Sequence, residues 1–98
     1  MSEEVSFHRL AELELNSAAN YYEREKPGLG ARFLTEVDRC IAAITEHPRA
    51  GVVILGDVRR RLVQRFPYAV LYSTKHEGIR ILAIMNLKRR PFYWVGRS

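Results

Sequence analysis

The side chains best suited to chemistry in this chain are arginines, and they are clustered. Arg59, Arg60, Arg61 and Arg65 fall within seven residues, and Lys88, Arg89 and Arg90 are consecutive. Guanidinium forks bind carboxylates and phosphates bidentately, so the first run has the makings of an anion clamp. Phe92, Tyr93 and Trp94 follow the second cluster and set flat apolar surface beside the charge. The charge is also split along the chain. Residues 1–50 hold six Lys/Arg and nine Asp/Glu, a net of −3, and residues 51–98 hold ten and two, a net of +8. A basic, aromatic-edged surface on a small protein selects an anionic partner, either nucleic acid or an acidic protein segment. Plainer readings stand beside these. A charged edge strand resists aggregation, and Tyr93 or Trp94 can close a core or cover a sheet edge.

Other chemistries find little support. His8, His47 and His76 are far apart and no pair has ligand spacing, so no metal is expected. Cys40 is the only cysteine; with no internal partner it reads as a small hydrophobe on a helix stripe. No Ser/His/Asp or Cys/His arrangement stands out. Gly28-Leu29-Gly30 lacks the later glycine and the Lys-Ser/Thr of a phosphate loop and reads as turn punctuation. No cofactor is expected. The start, with Glu3 and Glu4, lacks the basic residues and apolar run of a signal peptide. No apolar stretch approaches the roughly 20 residues that cross a bilayer. The expected location is the cytoplasm, with no membrane contact.

These residues need elements to position them. Ninety-eight residues, 47% of them apolar and 28% charged, make one folded domain over 1–98. Residues 4–9 form a short strand with Val5 and Phe7 on one face, and residues 10–25 form a helix with apolar positions at 11, 15, 18 and 22. Pro27, Gly28 and Gly30 break it. A second helix covers about 29–46, where Leu29, Phe33, Val37, Ile41 and Ile44 recur at spacings of four, four, four and three. Pro48 and Gly51 end it. So short a turn makes the two helices an antiparallel hairpin, with the Tyr21–Tyr22 pair packed inside it.

The remainder is strand-like: 58–65, 68–74 and 79–87, with His76-Glu77-Gly78 as the tight turn between the last two. The order β-α-α-β-β-β gives an α+β fold, an N-terminal strand and helical hairpin packed on a C-terminal antiparallel sheet. On strand 58–65, Arg59, Arg61 and Arg65 point one way and Arg60 the other. In the last strand Ile79, Ile81, Ala83, Met85 and Leu87 share one face, which should pack on the helices. Arg80, Leu82, Ile84, Asn86 and Lys88 share the other. That mixed face should be left for a partner, with Leu82 and Ile84 partly exposed.

The ordered set of residues resembles RelE/ParE-type toxins of bacterial type II toxin–antitoxin pairs. In the N-terminal half the resemblance rests on Tyr21-Tyr22-Glu23, Pro27-Gly28-Leu29-Gly30, Arg32-Phe33-Leu34, Glu36-Val37 and His47-Pro48. In the C-terminal half it rests on Arg59-Arg60, Arg65-Phe66-Pro67-Tyr68, Val70, Tyr72, Arg89-Arg90-Pro91 and Tyr93-Trp94. The resemblance implies a cognate antitoxin whose C-terminal segment wraps the toxin. Arg59, Arg61, Arg65, Arg80, Leu82, Ile84 and Asn86 are its expected contacts, with arginine–carboxylate pairs fixing register and Leu82 and Ile84 as apolar anchors.

The family divides by target. RelE-like members cleave mRNA on the ribosome without a metal; ParE-like members poison DNA gyrase. Many relatives carry His where this chain has Asn86, and Asn cannot exchange a proton near neutral pH. Pro27-Gly28-Leu29-Gly30 and Phe66-Pro67-Tyr68 also look more like the ParE branch. The leading expectation is a gyrase inhibitor neutralised by a ParD-like antitoxin, with no catalytic residues and with Lys88, Arg89, Arg90, Tyr93 and Trp94 touching the target. The alternative is a ribosome-dependent mRNA endonuclease. It alone requires direct nucleic-acid binding, and it needs Arg61, Arg65, Arg89 and Tyr93 to converge on one phosphate. A third reading is an interaction protein that has lost toxicity.

Overall fold

A computed structural model describes residues 4–75 and 77–98. In chain order the elements are β1 (Val5–Phe7), α1 (Arg9–Glu25), α2 (Leu29–Glu46), β2 (Val52–Leu55), β3 (Val58–Leu62), β4 (Tyr68–Ser73) and β5 (Ile79–Asn86). They build one sheet of order β1-β5-β4-β3-β2, in which β1 runs parallel to β5 and the other pairs are antiparallel. The helical hairpin covers one face, so the fold is α+β.

Local chemistry explains the hairpin. His8 caps α1 by accepting the Leu10 N–H on Nδ1 at 3.0 Å. The inward side of α1 carries Ala11, Ala18 and Ala19, which let α2 come close. A Cβ on Gly30 would run into the Ala19 carbonyl oxygen, so the close approach requires glycine there. Gly28, at φ +88°, turns the chain between the helices. The Glu23 carboxylate accepts the N–H groups of Gly28 and Gly30 at 3.0 Å and caps α2 across the turn. Phe33, Val37, Cys40 and Ile44 then bury the inner stripe of α2. Tyr22 packs on Phe33 and Phe66, with centroids 5.3 and 4.9 Å away. Tyr21 meets the Tyr22 ring edge-on at 5.3 Å but stays half exposed instead of packing inside the hairpin, because adjacent residues on a helix point about 100° apart.

Three strand expectations change. First, β2 is an extra strand between α2 and β3, so the order is β-α-α-β-β-β-β. Val52-Val53-Ile54-Leu55 followed by Gly56-Asp57 was the available signal: a short apolar run closed by a two-residue turn. Second, β3 stops at Leu62 rather than 65. Arg65 takes φ +69° in the turn that reverses the chain into β4, so it does not continue the strand. Of the turn expected at His76-Glu77-Gly78, His76 lies outside the described residues.

The third change matters most for the site. Leu71 pairs with Ala83 but Tyr72 pairs with Ile81, so Leu82 is an extra residue in β5. A bulge of one residue inverts the alternation beyond it. Ile79, Ile81 and Ile84 therefore all face the helices, while Leu82 and Ala83 face the opposite side. Leu82 and Ile84, expected to be partly exposed, are 3% and 1% exposed. The outer side is not open either. Trp94 is buried there with Val58, Ala69, Leu71, Leu82 and Ala83 in a second small core.

Candidate functional site

The C-terminal end of β5 organises the basic triplet. Asn86 Oδ1 accepts the Lys88 N–H at 2.9 Å, and the Asn86 carbonyl accepts the Arg89 N–H at 3.0 Å. Asn86 thus shapes the turn that lifts Lys88, Arg89 and Arg90 into solvent, where all three are exposed. Leu87, Phe92 and Val95 are exposed beside them at 45–55%. The result is an exposed patch that mixes cations with apolar side chains, which suits a protein partner.

Glu14 of α1 holds this segment down. Its carboxylate accepts the Tyr93 hydroxyl at 2.8 Å, the Ile84 N–H at 3.1 Å, and Arg97 Nη1 and Nη2 at 2.9 and 3.1 Å. Arg97 Nη1 also donates to the Leu82 carbonyl at 3.0 Å. β1 ends at Phe7, so beyond it β5 has no strand on that side. The Glu14–Arg97 pair supplies the acceptor and the donor that a neighbouring strand would otherwise give to Ile84 and Leu82. The Arg89 guanidinium lies 4.1 Å over the Tyr93 ring and that of Arg97 lies 5.0 Å from it. Sequence reasoning passed over Glu14 and Arg97. The partners of Glu14 lie 70 to 83 residues away in sequence, and only the fold brings them together.

The arginine run divides by role. Arg59 Nη1 donates to the carbonyls of Arg49 and Gly51 at 3.0 and 2.8 Å. The Tyr72 hydroxyl donates to Pro48 at 2.7 Å and accepts the Gly51 N–H at 3.2 Å. Together they pin the loop that follows α2. Arg80 donates to the Phe7 carbonyl at 3.0 Å and the Ser98 carbonyl at 3.3 Å, tying both ends of the chain to the sheet. Arg59 and Arg80, named as partner contacts, are occupied within the fold. Arg61 and Arg65 differ: both edge an open trough along α2, and their guanidiniums make no hydrogen bond or ion pair with another described residue.

Comparison with known proteins adds the family. The family described as ParE toxin of type II toxin–antitoxin system, parDE, matches residues 5–91. The chain belongs to the ParE toxin family. A chain of the solved chromosomal ParDE TA system from P. aeruginosa has the same fold, with a TM-score of 0.75 at 17% identity, covering 86% of this chain and 95% of that one. Among curated proteins none matches the sequence.

The chemistry this ParE-family chain can perform follows from its placed groups. Burial above all, then the hydrogen bond to Glu14 and the charge on it, hold the Tyr93 phenol well above its ordinary range. Tyr93 therefore keeps its proton at neutral pH and donates it to Glu14. Burial pushes the Cys40 thiol up to about 11, and its Sγ lies 3.7 Å from the carbonyls of Arg61 and Leu62. It is a packed thiol, not a nucleophile. Trp94, named as a target contact, is 3% exposed. Arg89 and Tyr93 line a small cavity with Glu14, Ser17 and Asn86, whereas Arg61 and Arg65 line the trough on α2. Among the described residues no three His, Cys, Asp or Glu side chains gather to hold a metal ion. Nor is any helix among them long and apolar enough to cross a membrane.

Proposed function

We propose that this ParE-family toxin inhibits DNA gyrase through protein contacts and is neutralised by a ParD-like antitoxin. The observation that carries the reading is the division of the four groups a phosphodiester cleavage would need. Arg61 and Arg65 open onto one cavity and Arg89 and Tyr93 onto another, and Tyr93 is held protonated on Glu14. Asn86, where a proton-exchanging group would serve, is spent on a turn. The exposed patch of Lys88, Arg89 and Arg90 with Leu87 and Phe92 supports contact with a large protein target. The solved ParDE system supports an antitoxin partner.

The test mixes purified toxin with gyrase, ATP and relaxed plasmid. Blocked supercoiling, with linear DNA released after protease treatment and reversal by antitoxin, is the expected result. Intact gyrase activity together with cleavage of ribosome-bound mRNA overturns the reading in favour of an endonuclease.

A further inference from the structure

We propose that the trough along α2 is the docking groove for an extended, acidic protein segment with one apolar anchor, supplied by the antitoxin. The trough is a cavity of about 710 Å³ between α2 and the β3–β4 turn. Tyr22, Leu29, Phe66 and Pro67 give it an apolar lining. Past Glu36, Arg39 and Arg65 it runs on into a depression of about 270 Å³ beside Cys40 and Arg61.

Four arginines edge this surface, Arg32, Arg39, Arg61 and Arg65, against one acid, Glu36, giving a local charge of +3. Glu36 is nearly buried and bonded to Arg39 at 3.4 Å, so the other three guanidiniums are left for an incoming anion. Positions 32, 36, 39 and 43 of α2 lie on one side of the helix and span roughly 16 Å. That length takes about five residues of extended chain. Arg65 reaches the rim from a left-handed backbone, φ +69°, a conformation that non-glycine residues seldom adopt without a local reason.

The lining decides the class of occupant. An apolar pocket between guanidiniums fits an aliphatic or aromatic side chain flanked by carboxylates. A nucleic-acid strand would present a continuous row of phosphates and would leave the Leu29 and Pro67 side of the trough unfilled. The other large depression, about 860 Å³ beside the loop after α2, mixes Glu46 and Glu77 with Arg49 and carries no such charge bias. The groove replaces the face of β5 as the antitoxin contact, since Leu82 and Ile84 are buried.

This inference rests on the antitoxin partnership, and the experiment separates the two. The probe is the protein encoded beside this gene, purified from the co-expressed complex and titrated by calorimetry. Its failure to bind the wild-type chain counts against the partnership itself. Arg32→Glu/Arg65→Glu should weaken binding by about 30-fold or more through like-charge contact with the acidic segment, with an unchanged circular dichroism spectrum. Lys88→Glu/Arg90→Glu, at the other basic patch, should change it by less than about threefold. A folded trough variant that binds as tightly as wild type overturns the proposal. A labelled twelve-residue Glu/Asp peptide with one central Phe, compared with its Ala counterpart and with a thymidine 12-mer, identifies the occupant. Preference for the Phe peptide, lost in the trough variant, supports the groove; tighter binding of the oligonucleotide, lost in the same variant, overturns it.

Discussion

Replacing Glu14 with Ala should loosen the whole C-terminal segment. The carboxylate serves four donors from three places: the β5 backbone, Tyr93 and Arg97. Its loss leaves the Arg97 guanidinium, 11% exposed, without its anion and strips the Ile84 N–H of its acceptor. Breaking a buried ion pair from one side costs about 3–5 kcal/mol. Here both side chains keep some solvent contact, 11% and 17%, which lowers the figure to about 2–4 kcal/mol. For a domain of this size about 3 kcal/mol lowers Tm by roughly 12–24 °C. Thermal unfolding by circular dichroism reads that shift. The single tryptophan, Trp94, reads the segment itself, because it is buried on the outer face of the sheet. Its emission should move to longer wavelength in Glu14→Ala below the unfolding temperature. Glu14→Gln keeps an acceptor but no charge and should fall between the two. A Glu14→Ala variant with Tm within about 2 °C of wild type and unchanged emission refutes the argument that this carboxylate latches the segment.

Other outcomes follow from the same geometry. Leu82→Asp and Ile84→Asp should each fail to give soluble folded protein, since both sites are buried among apolar side chains and an unpaired buried charge is costly; a folded variant by circular dichroism contradicts the bulge assignment. His8 caps α1 as a neutral acceptor, and burial first, then the charges of Arg97, Arg80 and Arg9, lower its pKa below 6.5. The cap is therefore intact above pH 6.5 and is lost as pH falls through the lowered value, so wild type should lose stability relative to His8→Asn between pH 7.5 and 5 in urea titrations. An equal response of the two proteins counts against that cap. Cys40 should resist a thiol reagent at pH 8 in the native protein and react fully in denaturant, and rapid native labelling would contradict its burial.

Much of the fold was legible in the residues. The helical hairpin follows from 3.6-residue periodicity and from Pro27-Gly28, and four of the five strands, all but β2, follow from short β-rich or alternating runs bounded by turns or helix starts. The family resemblance was also carried by short motifs in order along the chain. These signals are local: each depends on neighbours within a few positions. β2 was passed over because its four residues sit directly after helix-ending punctuation, where a loop is the simpler reading.

What the sequence alone determined is the order of every element except β2, and the split in charge between the two halves of the chain. What only the tertiary structure decided is which residues remain available to a partner. One extra residue at Leu82 reverses the faces of β5, and alternation read along the chain cannot register an insertion that exists only relative to β4. Arg59 and Arg80 look like Arg61 and Arg65 in sequence, yet the first pair is bonded to distant carbonyls and the second stands open on the trough. Glu14 becomes the anchor of the C-terminal segment through contacts 70 or more residues away. Side-chain type and spacing state what a residue can bind; the packing of remote segments decides whether the fold has already used it.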